Sequence, residues 1–255
     1  MERGFVSLGS SLLYLQQKLN VSANNISNLG TYGFKKDTVI GQSFNGILSD
    51  EMSKNISPAE VRLNSGENMF KPGVYIMSTV TDFKQGILEE TGKYNDLALH
   101  GEGFLVFEGQ NGPVYGRGDS LSVDEQGFLA VTGKGRITGR NGFIQVGKSE
   151  YVIDRSGNVA VNGRLVERIN VINFADPKSL TKTGNGTFIH TAGDENIILN
   201  PDVLFVQGSL EASNSDLSEE TVTLSDVLRK YEAVQRAFQM ADQIYGLAVN
   251  DLGKV

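Results

Sequence analysis

The sequence predicts a mainly β central body, rich in glycine and hairpins, with N- and C-terminal α-helices pairing as a coiled coil. Three observations point there. Apolar residues recur at alternating spacings of three and four at both ends of the 255-residue chain, and not between them. Of its 30 glycines, 25 lie between positions 31 and 210. In that stretch, short apolar runs alternate with Gly-, Asn- and Asp-rich turns at roughly ten-residue intervals, the pattern of a β-sandwich or barrel.

At the N-terminal end, Phe5, Leu8, Leu12, Leu15, Leu19, Ser22, Ile26 and Leu29 form an a/d seam, which predicts a helix over residues 4–28. Gly9 inside it costs about 1 kcal/mol relative to alanine. So narrow an apolar stripe is stabilised mainly by what it packs against. Asn28, Gly30 and Gly33 supply the stop. Residues 32–81 carry no sustained period and read as an extended connector, with a strand over 74–80. Turns are predicted there at Ser57-Pro58, Asn64-Ser65-Gly66 and Lys71-Pro72-Gly73.

From 82 to 214 the apolar runs Leu97–Leu99, Phe104–Phe107, Phe128–Val131, Phe143–Val146, Val159–Val161, Val171–Phe174 and Asn196–Leu199 predict strands. Asn141-Gly142 and Asn162-Gly163 are hairpin signals, because both residue types tolerate positive φ. A [VI]-D-x-x-G-x-x-A-V pattern occurs twice, at Val123–Val131 and Ile153–Val161. Each copy offers too few oxygen ligands for calcium. Both predict hairpins in which Asp caps a type I turn and Gly takes the left-handed position.

A second seam, Leu224, Val227, Tyr231, Val234, Phe238, Ala241, Tyr245, Ala248 and Leu252, predicts a helix over 219–251. Asp216, Ser218, Glu219 and Glu220 place capping groups and negative charge at its start. The expected organisation is a helical coiled-coil assembly domain (1–31 plus 215–255), an extended connector (32–81) and a β-rich outer domain (82–214).

The net charge of −7 argues against nucleic acid, which needs a basic footprint. Cysteine is absent, so disulfides and thiolate metal sites are excluded. No stretch is long and apolar enough to span a bilayer, so direct membrane insertion is not expected. Glu2 stands where a signal peptide carries positive charge, so no cleaved signal is expected. Histidine occurs only at His100 and His190, and no zinc-protease, nucleophile-elbow, P-loop or dinucleotide pattern is present. Gly101-Glu102-Gly103 and Gly184-Asn185-Gly186 lack the spacing of a fingerprint, and Glu89-Glu90 and Glu219-Glu220 read as solvated turns or helix starts. No catalytic, cofactor or metal site is expected, and no enzyme.

The most unusual local stretch runs from Ala23 to Lys36. Asn24, Asn25 and Asn28 fall in the last turns of a helix, where asparagine is a poor former. They read either as an elaborate C-cap or as a polar contact surface for neighbouring helices.

This stretch, Ala23-Asn24-Asn25-Ile26-Ser27-Asn28 through Gly33-Phe34-Lys35, resembles the signature of the bacterial flagellar axial proteins. Gly86-Ile87-Leu88 through Asn95-Asp96-Leu97-Ala98-Leu99 and Gly101-Glu102-Gly103-Phe104 resembles a second family block. Tyr115-Gly116-Arg117 through Val123-Asp124 and Gly127 resembles a third, and Val206 through Asn214 a fourth. The blocks occur in family order across nearly the whole chain. Thr31-Tyr32-Gly33 and Tyr115-Gly116-Arg117 depart mildly from the family pattern, and residues 139–191 match loosely.

The chain is most like a basal-body rod protein, proximal or distal, being short for a hook subunit with its additional β domain. The resemblance implies a structural subunit of the drive shaft that transmits torque from motor to hook. It implies self-polymerisation, contact with other rod and hook proteins, and export by the flagellar type III apparatus into the extracytoplasmic basal body. The implied assembly interface comprises Leu8, Leu12, Leu15, Leu19, Asn24, Asn25, Ile26, Asn28, Gly33, Phe34, Leu224, Val227, Tyr231, Val234, Phe238, Ala241 and Tyr245. Alternatives are a hook or hook-junction subunit of the same family, or a coiled-coil-stalked β adhesin or carbohydrate-binding protein.

Overall fold

The computed structural model describes residues 2–43, 74–109, 112–184, 186–191, 197–199 and 202–252. The turn signals at Ser57-Pro58, Asn64-Ser65-Gly66 and Lys71-Pro72-Gly73 lie outside the described residues. So do Asn185, Asn196 and the side chains of Phe5, Ala248 and Leu252. The chain divides into two compact units: Met1–Ile26, Asp37–Val80 and Asp216–Val255 in one, Ser27–Lys36 and Thr81–Ser215 in the other.

The first unit holds two helices, α1 (Glu2–Ser27) and α2 (Leu217–Leu252), and two paired strands, β1 (Asp37–Ser43) and β2 (Val74–Thr81). Both helices extend no more than two residues beyond the limits their periodicity predicts. Asp216 caps α2, its carboxylate accepting from the Glu219 amide at 2.9 Å and its carbonyl from the Glu220 amide. Along α2, Val227 is buried, Leu224, Tyr231, Val234, Phe238, Ala241 and Tyr245 are half-buried, and Leu228, Met240, Ile244 and Leu247 are exposed. Along α1, Leu15 and Ser22 are buried, Leu8, Leu12, Leu19 and Ile26 half-buried, and Leu13 exposed. The three-four spacing therefore marks the sheltered face of each helix.

β1 is a strand where only an irregular connector is predicted. Its apolar content is limited to Val39, which is buried, and Ile40, which is exposed, too short a run to show a period. Gly41 then brings the backbone against the Tyr14 ring, where a Cβ would stand 2.4 Å from a ring carbon.

The second unit is all β apart from a 3-10 turn at Pro177–Ser179. Its strands begin with β3 (Leu88–Glu90), β4 (Asp96–His100), β5 (Phe104–Gly109), β6 (Gly112–Gly116) and β7 (Gly118–Val123). They continue with β8 (Leu129–Val131), β9 (Gly135–Ile137), β10 (Tyr151–Ile153), β11 (Asn158–Val161) and β12 (Arg164–Arg168). The last are β13 (Val171–Phe174), β14 (Leu180–Gly184), β15 (Thr187–His190), β16 (Ile197–Leu199), β17 (Leu204–Gln207) and β18 (Ser209–Glu211).

Among the described residues these make one large sheet in the order β14-β15-β6-β5-β9-β8-β7-β4-β17, with β13 joining β5 to β16. A three-stranded sheet β10-β11-β12 and the pair β18-β3 complete it. Leu97, Leu99, Leu105, Phe107, Leu129, Ile137, Ile144 and Val159 lie in the main core. A second cluster is aromatic, with Phe104 edge-on to Phe83, Phe174 and Phe188.

Asn162-Gly163 is a two-residue hairpin loop with positive φ at both positions, 51° and 75°, joining Val161 to its partner Arg164. Asn141-Gly142 is not its equal, since positive φ falls on Gly142 and the loop joins bridges only. Phe143–Val146 accordingly makes isolated bridges rather than the strand its alternation predicts. The Val146 and Gly147 amides both donate to the one carbonyl of Gly127, which breaks the ladder. The 30-residue repeat consists of two equivalent hairpins, with Val123 opposite Leu129 and Ile153 opposite Val159. Asp124 Oδ1 accepts from the Gln126 and Phe128 amides, and Asp154 Oδ1 from Ser156 and Asn158. These bonds hold both carboxyls below their ordinary pKa, those from Phe128 and Asn158 contributing most.

Candidate functional site

Within the β unit, three distant chain segments meet at one buried carboxylate. Glu211 Oε1 accepts from Lys35 Nζ at 2.5 Å and from the Gly86 amide at 2.9 Å; Oε2 accepts from Arg117 Nε at 3.0 Å. The carbonyl of Glu211 accepts from the Gly33 amide at 2.7 Å. Lys35 donates again to the Lys84 carbonyl, and the outer nitrogens of Arg117 donate to the carbonyls of Gly103 and Gly101. Lysine and glutamate are almost never fully buried unless paired, and here both side chains are 0% exposed. Burial pulls the Lys35 ammonium below its ordinary pKa, against the opposing pull of Glu211. The fixed directions of the guanidinium fork suit Arg117 to binding two carbonyls and a carboxylate at once.

Asn214 gathers the backbone beside this node. Its Oδ1 accepts from the Lys36 amide at 2.6 Å, and its Nδ2 donates to the carbonyls of Asp82 and Lys84. The Asp82 amide donates in turn to the Lys36 carbonyl. Lys182, on β14, stands 4.4 Å from the centre of the Phe34 ring and donates to the Lys35 carbonyl. Glycine at position 33 has φ of 69°, which turns the chain into the node.

A second polar node lies inside the helical unit. Ser22 Oγ donates to Glu220 Oε2 at 2.6 Å, and Asn25 Nδ2 donates to Glu220 Oε1 at 2.9 Å. Asn25 also donates to the Asp37 carbonyl and accepts from the Asp37 amide, so one side chain ties α1 to both α2 and β1. Ser22, Asn25 and Glu220 are all buried. Glu220 occupies the first turn of α2, where the free amides and the macrodipole favour a carboxylate.

The predicted interface residues are thus dispersed. Asn25 is the bridging asparagine; Asn24 is exposed on α1; Asn28 accepts from the Thr31 hydroxyl and amide, as a helix stop does. Gly33 and Phe34 are buried in the β unit, whereas the seam residues lie on the helices. Lys35, Arg117, Glu211, Asn214 and Glu220 were not among the predicted site residues. Their signal was available: Lys35, Arg117, Glu211 and Asn214 each stand inside a block that resembles the family. Among the described residues, no cluster of three or more His, Cys, Asp or Glu side chains gathers to hold a metal.

The blocks that meet at Glu211 run in order along the whole sequence, and so does the similarity to known proteins. The chain is 30% identical to the flagellar basal-body rod protein FlgG of Borreliella burgdorferi, over 98% of both chains. It belongs to the flagellar basal-body rod proteins. The rod protein FlgF of Caulobacter vibrioides is 29% identical over 96% of both chains. The hook-basal body complex protein FlhO of Bacillus subtilis is 24% identical over the full length of both. The family model for the C-terminal part of the FlgEFG basal-body rod proteins matches residues 206–251. In this rod protein that stretch contains Glu211, Asn214, Glu220 and nearly all of α2.

Proposed function

We propose that the chain is a structural subunit of the flagellar basal-body rod, which polymerises through α1 and α2 into a tubular shaft carrying torque from motor to hook. The observation that carries the rod reading is full-length similarity to FlgG, a protein named for the rod. The part played by the helices rests on the Ser22–Glu220 bond, which joins the last turns of α1 to the first turn of α2. Counting seam positions outward from it pairs Leu19 with Leu224, Leu15 with Val227, Leu12 with Tyr231 and Leu8 with Val234. Every second position is seven residues on along both helices, from Ser22 to Leu15 to Leu8 and from Glu220 to Val227 to Val234, the repeat on which an antiparallel coiled coil would be built. The assembly interface is the surface these helices present to neighbouring subunits, together with Asn24 and Ile26. Phe34 and Gly33 serve it indirectly, by seating the segment that follows α1.

The partners are further copies of this chain, other rod and hook proteins, and the type III export apparatus. The working place is the basal body outside the cytoplasm. Among the described residues no helix is long and apolar enough to cross a membrane.

Two experiments test the reading. Basal bodies from a deletion strain, viewed by electron microscopy, are expected to end below the hook. Leu15→Asp and Phe238→Asp are expected to abolish motility while the β unit stays folded. Complete, motile flagella in the deletion strain would overturn the rod assignment, and motile seam variants would overturn the part given to the helices.

A further inference from the structure

We propose that the β unit carries its own subunit contact, in which the β12 edge of one copy docks on the β3 edge of the next. This deepens the rod reading and rests on it. The occupant is a second copy of this chain, held by charge complementarity between the two edges.

β12 closes the three-stranded sheet; among the described residues the Arg140 amide bonds the carbonyl of its last residue, Arg168, and no strand pairs with its outer side over Arg164–Val166. It presents Arg164, Leu165 and Val166 to water, with Leu165 68% exposed. Ala160 lies opposite Leu165, and Val152 opposite Ala160, which extends an aliphatic row across the sheet; Val152 is 64% exposed. Around the row the chain is basic. Residues 140–168 hold five Lys and Arg against three Asp and Glu, in a protein whose net charge is −7. Arg155 and Arg164 are exposed and enter no ion pair among the described residues.

β3 has the opposite character. It pairs with β18 on one side only, and Glu89 and Glu90 are both exposed. Ile87, just before it, is 78% exposed, a large aliphatic side chain beside two carboxylates. A basic edge with a protruding leucine and an acidic edge with a protruding isoleucine complement each other. Neither complements itself, since like charges would face each other across a self-contact. Contact between two different patches is heterologous, and heterologous contacts that do not close into a ring propagate into filaments. That is the geometry a rod requires.

The absence of cysteine makes a direct test possible. Full-length chains carrying Leu165→Cys or Ile87→Cys are mixed at polymerising concentration and oxidised with diamide. Neither residue belongs to a core cluster, so both variants are expected to fold. The mixture is expected to give the covalent heterodimer at least tenfold over either homodimer, and a chain carrying both substitutions a ladder of oligomers. In sedimentation, Arg155→Glu with Arg164→Glu is expected to reduce association at least tenfold. Adding Glu89→Arg with Glu90→Arg should restore it. Statistical or absent cross-linking, or a ladder that stops at the dimer, from wild-type chains that do polymerise would overturn this contact alone. Wild-type chains that stay monomeric under every condition would overturn the rod reading as well.

Discussion

Lys35 and Glu211 stand 176 residues apart in sequence, and their charges meet at 2.5 Å with neither side chain reaching water. Arg117 approaches the same carboxylate from a third segment. The sequence blocks that resemble the flagellar axial proteins are therefore not independent signatures. The Gly33-Phe34-Lys35 turn, Gly86, Arg117 and Glu211 are four sides of one buried polar contact. Such a contact is costly to desolvate and tolerable only when every group is bonded. All three nitrogens of Arg117, both oxygens of Glu211 and the Lys35 ammonium have partners.

Replacing Glu211 with glutamine keeps the shape and removes the counter-charge of two buried cations. Breaking a buried pair on one side costs about 3–5 kcal/mol. Glu211→Gln is expected to lower the urea midpoint of the β unit by a corresponding amount. A loss under 1 kcal/mol would mean that the carbonyls around Arg117 and Lys35 suffice without the carboxylate.

Titration of Lys35 makes a prediction of unusual sign. Its folded-state pKa lies below the ordinary 10.5 because burial outweighs the pull of Glu211. Between that depressed value and 10.5 the unfolded chain binds the additional proton, so stability rises with pH across the window. Wild type is therefore expected to gain stability relative to Lys35→Met as pH is raised from 7 towards 10.5, measured by urea unfolding of both. A relative loss would show that Glu211 raises the lysine pKa instead.

Gly86 is required by close approach, not by φ. A Cβ there would stand 2.0 Å from the Ala212 carbonyl oxygen, while the Gly86 amide bonds Glu211. Gly86→Ala must push β18 and its carboxylate away, at about 1–3 kcal/mol. Gly30, with no atom within 4 Å of a built Cβ, is the control. Gly30→Ala is expected to change the melting temperature little, and a Gly86→Ala chain melting with it would discount the contact.

Local regularity was legible in the sequence, and long-range convergence only in part. The helical seams repeat over many turns, so α1 and α2 stand out, and Asn162-Gly163 declares its hairpin because few residues accept its backbone. β1 is too short and too irregular to announce itself. Phe143–Val146 alternates correctly, but the Gly127 carbonyl takes the amides of both Val146 and Gly147. Lys35, Arg117 and Glu211 are visible as charges inside the blocks that resemble the family. Nothing local says that they meet, since each is separated from the next by dozens of residues.

Asn25 and Asn28 separate the two readings of the asparagine stretch. Asn25→Ala leaves the amide and carbonyl of Asp37 and one oxygen of Glu220 without their partner, at about 1–3 kcal/mol for each group that stays buried. Alanine is the better helix former by less than about 1 kcal/mol, so the net change is destabilising. Asn28→Ala removes the oxygen that accepts from the Thr31 hydroxyl at 3.2 Å and leaves Asn25, Ser22 and their bonds to Glu220 in place. Asn25→Asp is the sharper variant, because it replaces the amide donor with a second carboxylate facing Glu220. Hydrogen exchange at the α1–α2 contact is expected to quicken in Asn25→Ala and further in Asn25→Asp, and to stay near wild type in Asn28→Ala. Equal effects at both positions would mean that the asparagines act together as a helix stop and that Glu220 holds α1 through Ser22.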